Sequence, residues 1–270
     1  MKLNIYQVDA FAENVFQGNP AAVIPLEDWI EEGLMQKIAM ENNLSETVFF
    51  VKNSPSTGGG QGEAAYHIRW FTPEYEIDLC GHATLASAYI IKNFLEPPVK
   101  EISFSTQKAG VLTATAADGL YTLDFPSRIP QPCYIPERLF ESLGITTAVE
   151  VLRSRDYFVV LPNEEAVRNI EPDFTIMKEL NTIGFIVTAK GHGADVVSRC
   201  FYPGAGIPED PVTGSAHCNI VPYWAQKLGK TKLHCKQLSP RGGDLQCELK
   251  GDRVLMSGKC VLFLQGEITV

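Results

Sequence analysis

The stretch Gly81-His82-Ala83 opens an apolar segment, and 133 residues further on Gly214-Ser215-Ala216 opens another. The same offset relates Lys108-Ala109-Gly110-Val111-Leu112 to Arg241-Gly242-Gly243-Asp244-Leu245. Repetition at a fixed offset is typical of an internally duplicated structure. The sequence therefore predicts two related halves, each a curved sheet wrapped around one apolar helix.

The rest of the chain is rich in strand patterns. Runs of β-branched and aromatic residues bounded by Gly, Pro or Asn extend from Leu3 to Phe11 at one end to Val261 to Leu264 at the other. Helical spacing is confined to four segments, Trp29 to Met40, Ala83 to Phe94, Pro136 to Leu143 and Ser215 to Leu228. This mixture predicts an α+β fold rather than an alternating βαβ series.

The domain boundary follows from the repeat. We expect residues 1 to 116 to form one domain and residues 117 to 260 the other. The last strand, near residues 261 to 270, is expected to return to the first domain, because it would close a sheet edge that otherwise stays exposed.

Composition excludes several classes of function. The chain has 270 residues, with 23 Lys and Arg against 32 Asp and Glu, and a net charge of -9. Nucleic acids and anionic membranes both require a basic face, so we expect neither as a partner. The seven cysteines form no Cys-x-x-Cys pair, and no apolar run is long enough to span a bilayer. This usage, with no secretory signal at the start, predicts a cytoplasmic protein with reduced thiols.

Two helix starts are candidate anion sites. Gly81 and Gly214 allow the backbone to turn sharply into each helix, which leaves N–H groups and the positive end of each helix dipole pointing outward. If the two halves face each other, both starts lie at one cleft, where a small carboxylate would bind. The alternative is that the two glycines only cap and pack the helices.

Glu46, in Asn43-Leu44-Ser45-Glu46-Thr47, is the candidate proton-transfer group. It lies where a predicted helix ends and an apolar strand begins, and its apolar neighbours would desolvate the carboxyl group and raise its pKa. Aligning Phe49-Phe50-Val51 with Phe185-Ile186-Val187 puts Thr182 at the corresponding position, so only one half carries the acid. The alternative is a solvated Glu at a strand edge.

Three further polar residues are candidate ligand-binding groups. His82 stands in the first turn of its helix, where the dipole favours a neutral imidazole. Asp210 precedes Pro211 in a turn, and Ser215 follows Gly214 at the second helix start. Each has a structural alternative: a packed or capping His, a turn Asp and a helix-capping Ser.

Other chemistries lack their signatures. The sequence has no Gly-x-Ser-x-Gly, Walker A, Gly-x-Gly-x-x-Gly or His-Glu-x-x-His motif. Gly58-Gly59-Gly60-Gln61-Gly62 is predicted to be a flexible hairpin loop, because no helix pattern follows it. The five His and seven Cys residues lack metal-ligand spacing, so we expect no metal site.

Four motifs follow one another along the chain: Gly18-Asn19-Pro20-Ala21-Ala22-Val23, Asn43-Leu44-Ser45-Glu46-Thr47, Cys80-Gly81-His82-Ala83-Thr84 and Glu209-Asp210-Pro211-Val212-Thr213-Gly214-Ser215-Ala216-His217. In this order they resemble the phenazine-biosynthesis PhzF-like family, within the diaminopimelate epimerase superfamily, nearly from end to end. The resemblance implies two pseudo-symmetric domains, each a barrel-like, mostly antiparallel sheet around a central helix. It also implies an active site between the domains, no cofactor and a homodimer.

The resemblance further implies isomerase chemistry. Glu46 would take a proton from one carbon of an unsaturated carboxylic acid and return it at another. The implied substrate-binding residues are Gly81, His82, Asp210, Gly214 and Ser215. The epimerase branch uses two facing cysteines; Cys80 stands at the first position, but the repeat offset puts Thr213 at the second. Two alternatives stay open: an amino-acid racemase or epimerase that uses Cys80, and a catalytically silent protein that binds small acids.

Overall fold

The computed structural model describes residues 1–53 and 63–270. Its strands, in chain order, are β1 (Lys2–Ala10), β2 (Asn19–Leu26), β3 (Glu46–Lys52), β4 (Glu63–Phe71), β5 (Glu76–Ile77), β6 (Glu101–Ser105), β7 (Val111–Ala117), β8 (Leu120–Pro126), β9 (Gln131–Pro132), β10 (Glu150–Arg153), β11 (Tyr157–Val160), β12 (Phe185–Lys190), β13 (Val196–Tyr202), β14 (Ile207–Asp210), β15 (Lys232–Gln237), β16 (Gly243–Lys250), β17 (Arg253–Gly258) and β18 (Cys260–Thr269). Its helices are α1 (Glu32–Asn42), α2 (Gly81–Ile90), α3 (Leu139–Ser142), α4 (Glu164–Arg168), α5 (Phe174–Glu179) and α6 (Gly214–Leu228). The glycine-rich segment 58–62, predicted to be a hairpin loop, lies outside the described residues.

The chain forms two compact units, residues Met1–Phe125 with Met256–Val270 and residues Pro126–Leu255. The sequence placed the boundary at residue 116 instead. The difference comes from β8, which pairs antiparallel with β7 and therefore stays with the first unit. The last strand, β18, pairs antiparallel with β1 along its whole length, so the end of the chain also belongs to the first unit.

In the first unit, the sheet is built around α2. Strand β1 pairs with β2 antiparallel, β2 with β3 parallel, β3 with β4 antiparallel, β4 with β5 antiparallel and with β6 parallel, and β6 with β7 antiparallel. Helix α2 contacts β1, β2, β3 and β7, and eight of its ten residues are buried. A helix that is buried on all sides needs no polar face, which explains its small and apolar sequence.

The second unit repeats this pairing order. Strand β10 pairs with β11 antiparallel, β11 with β12 parallel, β12 with β13 antiparallel, β13 with β14 antiparallel and with β15 parallel, and β15 with β16 antiparallel. Helix α6 contacts β15 and β16, and eleven of its fifteen residues are buried. The predicted α+β fold of two pseudo-symmetric domains, each a mostly antiparallel sheet around a central helix, is confirmed.

Two equivalent ion pairs mark the duplication inside the sheets. Arg69 on β4 pairs with Glu76 on β5 at 2.6 Å, and Arg199 on β13 pairs with Glu209 on β14 at 2.7 Å. Each guanidinium also lies over the ring of the phenylalanine two residues later, at 5.2 and 5.1 Å from its centre. These pairs align the two units independently of the helix starts.

The strand register corrects one part of the sequence alignment. Phe71 lies opposite Thr47 in the first unit, and the equivalent Phe201 lies opposite Phe185 in the second. Position 46 therefore corresponds to Gly184 and not to Thr182. The sequence alignment was two residues out of register, a shift that keeps each side chain on the same face of the strand and so leaves the buried apolar pattern unchanged.

All four predicted helices exist, and two more were not predicted. Helices α4 and α5 are too short for an apolar periodicity to reveal them. Their signal was the preceding residue, because the side chains of Asn163 and Asp173 accept hydrogen bonds from the first turn of α4 and of α5. No helix among the described residues is long and apolar enough to cross a bilayer.

Candidate active site

Glu46 is the first residue of β3 and is held there by the end of the preceding helix. Helix α1 ends at Asn42, and Asn43 then adopts the left-handed conformation with φ 49°, which redirects the chain into the strand. The Glu46 residue is only 6% exposed. It is therefore not a solvated strand-edge acid, and a carboxyl group at this depth needs a polar or charged neighbour.

His82 supplies that neighbour. It is the second residue of α2, is 5% exposed, and its Nε2 lies 3.0 Å from Glu46 Oε2. The two atoms are close, yet neither makes a hydrogen bond of acceptable geometry with any described residue. Adjacent buried polar atoms that lack a hydrogen-bond partner are typical of a site that exchanges protons with a ligand.

The other nitrogen of His82 contacts Asn19 and Cys80. Asn19 Nδ2 lies 3.2 Å from His82 Nδ1, and Cys80 Sγ lies 3.5 Å from it. Asn19 is positioned by Gly18, which has a φ of +65° and sits so close to the Ala10 carbonyl oxygen that a Cβ would lie 2.1 Å away. The motif Gly18-Asn19-Pro20 by itself gave no sign that Asn19 contacts His82.

The charge of His82 differs from the sequence-based prediction. Burial by itself lowers the pKa of this imidazole, but Cys80 and Glu46 raise it by more, and the net pKa lies well above the ordinary value. The prediction of a neutral ring considered only the helix dipole, whereas the adjacent thiol and carboxyl groups both raise this pKa. For Cys80, burial raises the pKa of the thiol and Glu46 raises it further, while His82 lowers it.

Glu46, Cys80 and His82 also form a cluster that could offer three ligand atoms to a metal ion, all within 4.8 Å of one another. Sequence spacing gave no sign of this cluster, because Glu46 comes from a different element. The imidazole separates the other two groups, since Cys80 approaches Nδ1 whereas Glu46 approaches Nε2. One metal ion binds one imidazole nitrogen, so this arrangement suits proton transfer better than coordination.

Asp210, Gly214 and Ser215 lie together at the start of α6. The Thr213 hydroxyl donates a hydrogen bond to Asp210 Oδ2 at 2.6 Å, and Gln237 Nε2 donates to the Asp210 carbonyl oxygen at 2.6 Å. Gln237 Oε1 accepts a further bond from the Thr213 backbone N–H at 2.9 Å. Asp210 is therefore fixed beside the first turn of α6 by a residue, Gln237, that the sequence analysis did not select.

The six predicted site residues thus form two clusters, one in each unit. Glu46, Gly81 and His82 lie at the start of α2, whereas Asp210, Gly214 and Ser215 lie at the start of α6. The first cluster holds the ionisable pair, and the second holds the hydroxyl group and the fixed carboxylate.

Comparison with known proteins identifies relatives of this chain. The family model described as phenazine biosynthesis-like protein matches residues 8–266. An uncharacterized isomerase from Pseudomonas aeruginosa is 47% identical over 268 residues, which cover 99% of each chain. The crystal structure of a phenazine biosynthesis protein of the PhzF family from Enterococcus faecalis is 48% identical, with a TM-score of 0.93 over 100% of each chain.

A more distant solved structure carries the same fold. A hydroxyproline epimerase from Agrobacterium vitis matches with a TM-score of 0.63 over 99% of this chain and 92% of the epimerase. At 9% sequence identity, this likeness shows the fold alone.

Proposed function

This chain belongs to the phenazine biosynthesis-like protein family, and we propose that it moves a proton on a small carboxylic acid with Glu46 as its single acid–base group. The chain is an isomerase, the class of its curated relatives. The observation that carries the proposal is the buried contact of Glu46 Oε2 with His82 Nε2 at 3.0 Å. A carboxylate so placed can take a proton from one carbon of a bound acid and return one to another.

The proposed reaction conserves the atoms of the substrate. A carbon–hydrogen bond of the acid breaks, the proton passes to Glu46, and the electron pair spreads into the adjacent double bond and carboxylate. Glu46 then returns the proton to the carbon at the far end of that system. His82, whose pKa the neighbouring thiol and carboxyl groups raise, would donate a hydrogen bond that stabilises the negative charge that develops between the two steps.

The second cluster has a separate part in the proposal. The assignment of Gly81, Asp210, Gly214 and Ser215 to substrate binding comes from the family resemblance. The expectation that both helix starts serve one ligand stays a prediction. A crystal structure with a bound unsaturated acid would test it directly, since a ligand that contacts only one cluster would contradict it.

A racemase that uses Cys80 has less support. Such an enzyme needs a second base at the corresponding position, and that position holds Thr213, whose hydroxyl is bonded to Asp210. The raised pKa of the Cys80 thiol also makes it a poor base at neutral pH. The single carboxylate of Glu46 is therefore the better candidate.

The substitution Glu46→Gln tests the proposal. Gln keeps the size of the side chain and its hydrogen-bonding capacity but cannot accept the proton. General acid–base catalysis typically contributes about 10²- to 10⁴-fold, so we expect a loss of that order. The measurement is wash-in of solvent deuterium at the acidic carbon of but-3-enoate and of cyclohex-2-ene-1-carboxylate, followed by NMR in heavy water at saturating acid.

The matched control is Glu179→Gln. Glu179 stands 133 residues after Glu46, and its exposed side chain pairs with Arg138, so its loss should leave exchange unchanged. Equal exchange in the Glu46→Gln variant and the unmodified chain would assign proton transfer to another group. Binding of both acids to the unmodified chain with no exchange at all would instead favour a silent binding protein.

A further inference from the structure

The second unit carries a cation beside the start of α6 that the sequence analysis left unassigned. Arg155 lies in the connection between β10 and β11, and its Nη2 lies 3.5 Å from Ser215 Oγ. Its side chain is 38% exposed, so part of the guanidinium is open to solutes. Ser215 is the second residue of α6, which places a permanent positive charge next to the first turn of that helix.

A buried carboxylate holds this guanidinium in place. Arg155 Nε donates to Asp156 Oδ1 at 3.0 Å and Nη2 donates to Oδ2 at 2.8 Å. The Asp156 side chain is only 1% exposed, and the Tyr202 hydroxyl donates to its Oδ2 at 3.4 Å. Asp156 uses one edge of the fork, so the five-donor guanidinium keeps further donors in a fixed orientation.

The first unit shows that this cation is not part of the shared scaffold. Glu46 corresponds to Gly184, the residue before Phe185. Because Ala21 pairs with Glu46 and Tyr157 pairs with Phe185, Ala21 corresponds to residue 156, and Pro20 therefore corresponds to Arg155. Proline has neither a charge nor a side-chain donor. At this position, an arginine therefore occurs only in the unit that lacks the acid–base pair.

We propose that Arg155 binds the carboxylate of the isomerase's substrate and selects acids over their neutral analogues. This inference rests on the proposed function, because it assumes that the substrate is a small carboxylic acid and that both helix starts serve one ligand. The chain has a net charge of -9, which disfavours the approach of acids in general, and a local cation would offset this. A planar guanidinium that stays charged at every accessible pH, already oriented by Asp156, is suited to a carboxylate. Asp156 is a positioning residue in this scheme.

The substitution Arg155→Met tests the role of the cation. Met keeps much of the apolar stem and removes every donor. We expect the Kd of benzoate and of but-3-enoate to rise about tenfold or more, the size expected for loss of a charged hydrogen bond, while the Kd values of benzamide and but-3-enamide stay unchanged. The measurement is NMR titration of the full chain with each acid and each amide. Arg155→Lys keeps the charge but not the two parallel donors of the guanidinium. Its Kd for each acid should lie between that of the unmodified chain and that of Arg155→Met.

The matched control is Arg153→Met, since Arg153 is bonded to the Tyr157 hydroxyl and the Asn181 carbonyl and not to Ser215. It should leave the preference for acids intact. Asp156→Asn should weaken acid binding and reduce the ratio of acid to amide affinity, a ratio that a general loss of stability would not change. An unmodified chain that binds acid and amide equally, or unchanged acid binding in Arg155→Met, would overturn the proposal.

The test of Arg155 and the test of Glu46 measure different quantities, so either proposal can fail without the other. Glu46→Gln should lower the rate of deuterium exchange by about 10²- to 10⁴-fold and preserve the preference for acids. Arg155→Met should raise KM for but-3-enoate and leave exchange at saturating acid within a few-fold. A loss of acid binding in Arg155→Met together with no exchange in the unmodified chain would support Arg155 as the carboxylate site and contradict the isomerase mechanism.

Discussion

The two helix starts of this chain have the same scaffold and different chemistry. At α2, His82 and Glu46 form a buried pair, whereas the corresponding positions at α6 are Ser215 and Gly184. The arginine–glutamate pairs inside the two sheets are the same in both units. At the helix starts the difference therefore lies in these side chains, and it separates an acid–base site from a site with a hydroxyl group and a cation.

The same turn also contains a difference that affects stability. In α2, the Thr84 hydroxyl donates to the Cys80 carbonyl oxygen at 2.6 Å. In α6, the residue at the same offset is His217, whose Nδ1 lies 2.8 Å from the Thr213 carbonyl oxygen. A hydroxyl group stays neutral at every accessible pH, whereas an imidazole does not. Of these two hydrogen bonds, only the one in α6 should therefore respond to acid.

The largest expected effect is an acid-dependent loss of stability through His217. Burial lowers the pKa of this imidazole to about 4, against an ordinary value of 6.5, and the hydrogen bond to Thr213 opposes this only in part. Between these pH values the unfolded chain binds a proton that the folded chain does not. The stability contributed by neutral His217 is therefore complete above pH 6.5 and decreases as the pH falls towards 4, by about 3 kcal/mol in all.

The measurement is the free energy of urea unfolding at a series of pH values from 4 to 8. In His217→Thr, which copies Thr84 of the first unit, the part of the slope between pH 4 and 6.5 should disappear. His192→Thr is the control, because the His192 side chain is 81% exposed. His82, with its raised pKa, contributes with the opposite sign, since its contribution is lost as the pH rises through that pKa. A slope that is equal in the unmodified chain and His217→Thr would place the acid sensitivity elsewhere.

A smaller effect is expected at Gly184, the position in the second unit that corresponds to Glu46. A Cβ added to Gly184 would lie 2.2 Å from Cε1 of the buried Tyr202 ring. Gly184→Ala should therefore destabilise the chain by about 1–3 kcal/mol through overpacking, measured by urea unfolding. Gly193→Ala is the control, because nothing lies within 4 Å of its added Cβ. In a Tyr202→Thr background, which copies Thr72 of the first unit, the added cost of Gly184→Ala should largely vanish; an undiminished cost would show that the ring does not fill this position.

The scaffold that the two helix starts share could be predicted from the sequence, because short local patterns indicate it. Glycine before an apolar run marked both helix starts, and a lone acid between a helix and an apolar strand marked Glu46. The fixed offset between the glycines was sufficient to predict two pseudo-symmetric units.

The contacts that distinguish the two starts depend on tertiary structure and could not be predicted. Glu46 and His82 are on different elements, so their distance and the raised pKa of the imidazole emerge only after the sheet has formed around α2. The polar run Ser154-Arg155-Asp156 is typical of a solvated turn. Only the burial of Asp156 distinguishes this run from a solvated turn, and the burial of a charged residue cannot be recognised in a polar sequence.

The smallest expected effect concerns the two N-cap residues, Cys80 and Thr213, and it separates the isomerase from the racemase. The Cys80 thiol contacts His82 Nδ1 at 3.5 Å, a weak interaction that a serine hydroxyl can replace. Cys80→Ser should therefore change deuterium exchange into but-3-enoate only a few-fold, the size of about 0.5 kcal/mol. Cys260→Ser is the control, since Cys260 Sγ contacts only the Leu85 carbonyl oxygen at 3.9 Å among the bonds described for it. If Cys80 were a base, its loss would lower the rate by about 10²- to 10⁴-fold, as for any acid–base group. A decrease of that size in Cys80→Ser, with exchange preserved in Glu46→Gln, would show that the thiol and not the carboxylate is the base. The first helix start would then hold one base of a two-base site, and Thr213 cannot supply the second.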